Sequence, residues 1–426
     1  MTSKKQLKAR IRERMAKTGE SYTTARTHIV GRAATPSDAG WRFAGGRSPA
    51  SAAITSILVN QGVTVSEPLV FLAGGGIGAG YILWEFRHDH SRHVVMGFSN
   101  QWQYYHRSMD RTLTRLGVPF EQHTTGGAKA AAARLAAELD AGRPCVILPD
   151  RYHLGYWGLP ATLDGHGGHP VVAYRRDESG VYLDDRGHAA IHIPHGTLDA
   201  ARARVGSYKN VLHVLGEATL DEAALAGAAR DGLRDCAEHL SSPSDSFSLP
   251  AWRKWARLLV DTRHAKAWSK VFADGRGLTG ALLSIWEGAE PVGMDGGNLR
   301  DLFADGLDES ADLLSEPGLA ELAGRFREIH SMWHDLAEAA LPADVPEFAR
   351  IRDLTAEIKE GVMADGTAAA GRTAEAAGTL WRVRAAADAS FPAGDPATLF
   401  ADLGKRMGAI YEAERAAIAR LATLTR

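Results

Sequence analysis

His169 and a pair of carboxylates, Asp184 and Asp185, are the residues in this sequence best spaced to do chemistry together. His169 opens an apolar run, Pro170–Val–Val–Ala–Tyr174. A turn is signalled at Asp177–Gly180, and a second run, Val181–Tyr–Leu183, ends in the two acids. Antiparallel strands joined by a tight turn bring the first residue of one beside the last residue of the other. An imidazole and a carboxylate then meet across the hairpin, the geometry in which a carboxylate orients a histidine as general base. Successive strand residues face opposite ways, so only one acid can fill that role, and Asp185 is assigned to it.

Such a site needs a third group, a nucleophile. The loop Gly45–Gly46–Arg47–Ser48–Pro49 leads into residues 49–61, which read as a buried helix (Ala52, Ala53, Ile54, Ile57, Leu58). A helix start favours negative charge on a side chain placed there, and proline suits the first turn. Ser48 is therefore a nucleophile or an N-cap, and both readings stay open. Leu72–Ala–Gly74–Gly75–Gly76–Ile–Gly78–Ala–Gly80–Tyr81 reads as a glycine-rich loop. It lacks the Gly–Lys–Ser/Thr of a phosphate loop. It is expected either to offer N–H groups to an oxyanion or to make a tight turn under the core. His166, His169, His188, His192 and His195 gather near the two acids in sequence. They lie on loops and strands without a cysteine among them, and no metal or other cofactor is expected. Cys145 and Cys236 read as small buried hydrophobes.

Several elements must position these groups. Residues 106–117 and 127–141 read as helices. Pro144–Cys–Val–Ile–Leu–Pro149 reads as a buried strand running into Asp150–Arg–Tyr152, and Thr197–Val205 as a short helix. From about residue 217 the strand signals stop. Three-to-four apolar spacing then predicts helices at 220–240, 248–262, 264–272, 278–288, 297–314, 317–340, 346–363, 366–388 and 397–424. Trp252, Trp255, Trp268, Trp286, Trp333 and Trp381 read as packing residues there. The fold class is thus α+β: an antiparallel-sheet domain over 33–216, then an all-α domain over 217–426. A basic arm over 1–32 precedes both, with Leu7, Ile11 and Met15 along one helical face. The arm carries nine Lys/Arg against Glu13 and Glu20. It reads as a docked helical hairpin or as a binding arm for an acidic partner.

The whole chain has 426 residues, 45% hydrophobic and 23% charged, with a net charge of −2. Those values fit a globular protein and make a nucleic-acid partner unlikely. No apolar run is long enough to span a bilayer, and no apolar segment follows the basic N-terminus as in a signal peptide. With only two cysteines, a reducing cytoplasm is expected. The abundance of Ala, Arg, Asp and Gly resembles a high-GC bacterial coding sequence.

Several segments in order resemble the BtrH-type acyltransferases of butirosin biosynthesis. They are the helix at 49–61 ending in Gly62, Ser66–Glu67, the glycine segment through Tyr81, Gly142–Arg–Pro–Cys–Val–Ile–Leu–Pro–Asp150–Arg–Tyr152–His–Leu–Gly–Tyr156, His169–Pro–Val–Val–Ala–Tyr174, and Val181–Tyr–Leu–Asp–Asp185. Gly293–Met–Asp–Gly296–Gly297–Asn–Leu–Arg300, and the pattern from Trp252 to Trp286, resemble the helical domain that accompanies them. The resemblance implies a papain-like N-terminal domain. It also implies acyl transfer from a carrier-protein thioester to an amine or hydroxyl acceptor through a cysteine acyl-enzyme. His169 and Asp185 fall on the family's histidine and acid. The family's His–Cys pair is replaced here by Arg47–Ser48, which removes the thiol. The catalytic set expected here is Ser48, His169 and Asp185, with Gly75, Gly76, Tyr81, Asp150, Tyr152 and Arg300 toward substrate. The implied partners are an acyl carrier protein and a small-molecule acceptor; a homodimer is left open. A relative without acyl-enzyme chemistry, binding a ligand between the two domains or condensing it non-covalently, is the alternative.

Overall fold

The computed structural model describes residues 37–85 and 92–425; the expected basic arm lies outside the described residues. A short two-stranded ribbon, β1 (Ser37–Asp38) and β2 (Trp41–Arg42), precedes helix α1 (Pro49–Asn60). Ser48 holds an extended conformation at the N-cap and Pro49 opens the first turn, where a missing N–H costs nothing. Nine of the twelve α1 residues are buried, on every side of the helix, and the polar ones among them, Ser51, Thr55 and Ser56, are hydrogen-bonded.

The central sheet has six antiparallel strands in the order β5-β10-β6-β7-β8-β9. These are β5 (Phe120–His123), β6 (Cys145–Ile147), β7 (Val171–Arg176), β8 (Gly180–Asp184), β9 (Ile191–Pro194) and β10 (Leu212–Leu215). β7 shows the period of two that a sheet buried on both faces requires. Val172 and Tyr174 pack with Ile54, Ile57 and Leu58 of α1. Val171 and Ala173 join the larger core on the other side.

Three helices fill out this part: α3 (Tyr105–Leu116), α4 (Ala128–Asp140) and α6 (His195–Arg204), with one turn at α5 (Arg151–Leu154). Ahead of them, α2 (Glu67–Ala73) leads into a separate hairpin, β3 (Ile77–Glu85) and β4 (Arg92–Ser99). The reading of 72–81 as one glycine-rich loop is corrected here, because only Gly74–Gly76 form the turn. Gly78 and Gly80 are strand residues that let other groups approach: a Cβ would lie 2.1 Å from the Ser99 carbonyl oxygen at Gly78, and 2.4 Å from the Trp102 indole nitrogen at Gly80.

After β10 the described chain is helical: α7 (Glu222–Leu240), α8 (Pro250–Val260), α9 (Trp268–Val271), α10 (Leu278–Ala289), α11 (Arg300–Leu313), α12 (Gly318–Ala340), α13 (Pro346–Glu360), α14 (Ala370–Ala389) and α15 (Pro396–Leu424). The architecture is α+β, as the sequence pattern indicated. The helical part is not packed apart from the rest. Tyr81, Val94 and Phe98 of the β3–β4 hairpin belong to the same continuous core as Trp252, Trp255, Trp268 and Trp333. Tyr81 stacks on Trp255 with centroids 5.1 Å apart, and Trp268 donates to its hydroxyl at 2.9 Å. The segment between α13 and α14 covers the outer edge of the sheet. Thr367 Oγ1 accepts the His192 N–H of β9, and the Thr367 N–H donates to the Ala190 carbonyl at 3.1 Å.

Candidate active site

The β7–β8 hairpin closes as its sequence suggested. The Asp177 N–H donates to the Gly180 carbonyl at 3.0 Å, and Val172 pairs with Asp184. Asp184 and Asp185 then part company. Asp184 turns toward α1, accepting from Ser56 Oγ at 2.6 Å and Trp41 Nε1 at 3.0 Å. Asp185 turns to His169 and meets Nε2 at 2.8 Å. Tyr156 (2.8 Å) and Trp157 (3.1 Å) also donate to Asp185, and Arg186 stands 3.4 Å away. Both members of the pair are buried.

The hydrogen bonds fix the tautomer of His169. Arg151 Nε lies 3.1 Å from Nδ1. A guanidinium has no lone pair and can only donate, so Nδ1 is unprotonated and Nε2 carries the proton given to Asp185. Burial lowers the His169 pKa, and Arg151 and Arg186 add to that against the pull of Asp185. Burial alone would raise Asp185, yet His169, Arg186 and Tyr156 outweigh it and hold the acid well below the usual carboxylate range. The pair is a neutral imidazole against an ionised carboxylate. Its one free lone pair is covered by Arg151, which is itself ion-paired to Asp295.

Ser48 lies close by without joining this pair. Arg186, next to Asp185, donates to the Arg47 carbonyl at 2.7 Å, which ties the helix start to the acid. Among the described residues, however, Ser48 Oγ makes no hydrogen bond to His169. Its own N–H donates to Glu67 Oε1 at 2.9 Å, and Glu67 also takes the Arg47 N–H and the Ser51 hydroxyl. Ser48 lines a narrow pocket of about 30 Å³ with Gly76, Asn100 and Tyr105, room for a water molecule.

The other expected site residues are placed elsewhere. The N–H groups of Gly75 and Gly76 are used by the carbonyls of Leu72 (2.8 Å) and Phe71 (2.9 Å). They are not oriented to hold an oxyanion, which corrects that expectation. Tyr81 belongs to the aromatic core and Arg300 to its centre. Arg300 is fully buried and bidentate on Glu414 at 2.8 and 2.9 Å, with Gly78 and Asn298 carbonyls taking further donors. Its guanidinium is saturated by the protein and lines neither the pocket at Ser48 nor the cavity beside Trp157, so it is a structural residue and not a substrate contact. Asp150 caps α5 by accepting the His153 N–H at 3.1 Å, and Tyr152 packs edge-on against His153. Asp150, His153 and Asp164 bring ligand atoms within 4.8 Å of one another. Arg204 already sits 2.6 Å from Asp164, a positive charge where a metal ion would need none.

Sequence reasoning missed the cationic shell. Arg151, Arg186 and Lys359 surround the His169–Asp185 pair, with Asp295 between them. Lys359 donates to the Gly293 carbonyl at 3.1 Å beneath the Trp157 ring. Burial and Arg186 hold its amine well below the usual lysine range. Trp157 and Lys359 separate the pair from a cavity of about 460 Å³, which lies between the β3–β4 hairpin and α10, α13 and α14. Neither His169 nor Ser48 lines it.

An α+β protein with a buried histidine–carboxylate pair beside the start of its central helix is the class this arrangement defines. Residues 48–186 match the family Butirosin biosynthesis protein H, N-terminal, and residues 197–361 match a domain of unknown function (DUF4872). The chain belongs to the BtrH-type family. The first match opens at Ser48 and closes at Arg186, so it encloses the whole His169–Asp185 site. No curated protein matches the chain.

Proposed function

We propose that the protein performs acyl transfer in a biosynthetic pathway, from a carrier-bound thioester to an amine or hydroxyl acceptor, with His169 as base and Asp185 as its orienting partner. The observation that carries this reading is the buried His169–Asp185 contact at 2.8 Å with Nδ1 left unprotonated. In the covalent form, Ser48 Oγ attacks the thioester carbonyl while His169 Nδ1 takes its proton. The proton then passes to the departing thiolate. In the second half the acceptor loses a proton to His169 and attacks the ester, and Ser48 recovers its hydrogen. This sequence requires Arg151 to leave Nδ1 and Ser48 to turn toward it.

A second reading follows from two contacts: Glu67 on the Ser48 N–H and Arg151 on the base nitrogen. Both oppose an acyl-enzyme. The first occupies an amide that could serve an oxyanion hole, and the second blocks proton transfer. Here the protein binds its ligand without a covalent step. Intact mass after incubation with acyl-carrier thioesters separates the two readings. The first expects an acyl adduct that disappears in Ser48→Ala and forms ~10²–10⁴-fold more slowly in His169→Asn. Absence of any adduct under conditions where ligand still binds selects the second.

A further inference from the structure

The cavity beside Trp157 carries two ionisable side chains that feel each other's charge without direct contact. Glu287 of α10 and Arg384 of α14 both line it. Among the described residues neither side chain makes a hydrogen bond or an ion pair within 4.0 Å. Arg384 rests over the Trp381 ring, 5.2 Å from its centroid. The opposite helix makes space for it. A Cβ on Gly280, inside α10, would lie 2.2 Å from the Arg384 guanidinium. A mid-helix glycine is unfavourable against alanine, and here that glycine seats an arginine at the cavity wall. Lys359 adds a second basic group, with one hydrogen bond among the described residues, to Gly293. The rest of the wall is largely apolar, including Trp157, Trp381, Val292, Ile358 and Leu380.

A cavity of this volume with apolar walls and a few convergent polar groups has the form of a small-molecule site. An unpaired, half-buried guanidinium is stabilised by a planar anion that it can grip with two parallel hydrogen bonds. We propose that this cavity binds a small organic carboxylate with an aromatic or aliphatic body, the carboxylate on Arg384 and the body against Trp157 and Trp381. The inference goes beyond the proposed function, because Trp157 and Lys359 stand between this cavity and His169. It is read by binding alone, so its failure leaves the adduct experiment standing.

Glu287 supplies a second signature. Burial pushes its carboxyl up to about 7, against the pull of Arg384. Arg384 on α14 and Asp295 on the loop before α11 act on it; Lys359 on α13 and His93, His166 and Tyr208 line the same cavity, and Asp388 acts on Arg384. Below that value Glu287 is neutral and leaves Arg384 to the ligand. Above it, the new charge competes with the ligand's carboxylate.

The test is calorimetric titration of the full chain with 4-phenylbutyrate and octanoate, set against 4-phenylbutyramide and 4-phenylbutylamine. The carboxylates are expected to bind at least about tenfold more tightly than the amide and amine. Arg384→Gln should lose at least about tenfold in carboxylate affinity, and Arg384→Lys should restore part of it. Carboxylate affinity should fall as pH rises through about 7, a fall that Glu287→Gln removes. Thermal melting confirms that each variant is folded before it is titrated. Equal binding of amide or amine, unchanged affinity in Arg384→Gln, or no binding of either carboxylate to the parent protein overturns the proposal.

Discussion

Arg151 decides what His169 can do, because it occupies the one imidazole nitrogen that a base would use. Removing that guanidinium should raise the His169 pKa, since both its charge and its hydrogen bond favour the neutral ring. An NMR titration of the histidine ring nitrogens in Arg151→Met against the parent measures this; an unchanged midpoint contradicts the contact. The same pair sets a dependence of stability on acid. An unfolded histidine takes a proton near pH 6.5, but buried His169 resists it to lower pH. Below about pH 6.5 the unfolded chain therefore binds more protons, and stability falls as pH falls. Asp185, held low, contributes stability above about pH 4 that is lost in stronger acid. Melting temperatures between pH 7.5 and 5 should drop less steeply in His169→Gln than in the parent. His169 and Asp185 were legible because a local hairpin joins them, so register alone predicts their contact. Arg151, Lys359 and Asp295 reach the same point from segments far apart in sequence. Nothing in their spacing distinguishes them from ordinary surface charges.

Glu67 shows how one helix start controls the one before it. It lies in the first turn of α2 yet accepts the N–H groups at the start of α1. Replacing it by alanine leaves those donors without a protein acceptor, at about 1–3 kcal/mol. Urea denaturation of Glu67→Ala should show a loss in that range; a change within error would mean that water substitutes fully. If Glu67 also restrains the Ser48 amide, the variant should gain adduct in the thioester assay. The long helices of the second half were legible to within a few residues, since tryptophan and leucine spacing there follows 3.6, whereas the helix expected over 264–272 is only the single turn Trp268–Val271. The β3–β4 hairpin was not. Ile77–Gly78–Ala79–Gly80 carries the composition of a loop, and its glycines are explained only by Ser99 and Trp102, which press against them from the partner strand and the residues just after it.

Arg300 joins the molecule into one unit. From the start of α11 it reaches the Gly78 carbonyl in β3 and Glu414 in the last helix. Trp252 and Trp333 add donors to that same glutamate at 3.1 and 2.8 Å. Breaking a buried pair strands the remaining charge, at about 3–5 kcal/mol, so Glu414→Gln or Arg300→Met should lose about that much. Because the core runs through both halves, circular dichroism and tryptophan fluorescence should follow one coincident unfolding transition. Two separated midpoints would show that the halves fold independently. The switch from strands to helices after Leu215 was legible as a change of periodicity. The shared core across it was not, because sequence pattern shows which faces are apolar and not which partner they meet. The cover that residues 361–367 place over β9 has a consequence during synthesis. Ribosomes release the sheet first and its cover some 170 residues later. At ~5–20 residues per second, the nascent chain carries a bare strand edge for roughly 10–35 s, open throughout to pairing with a neighbouring nascent chain.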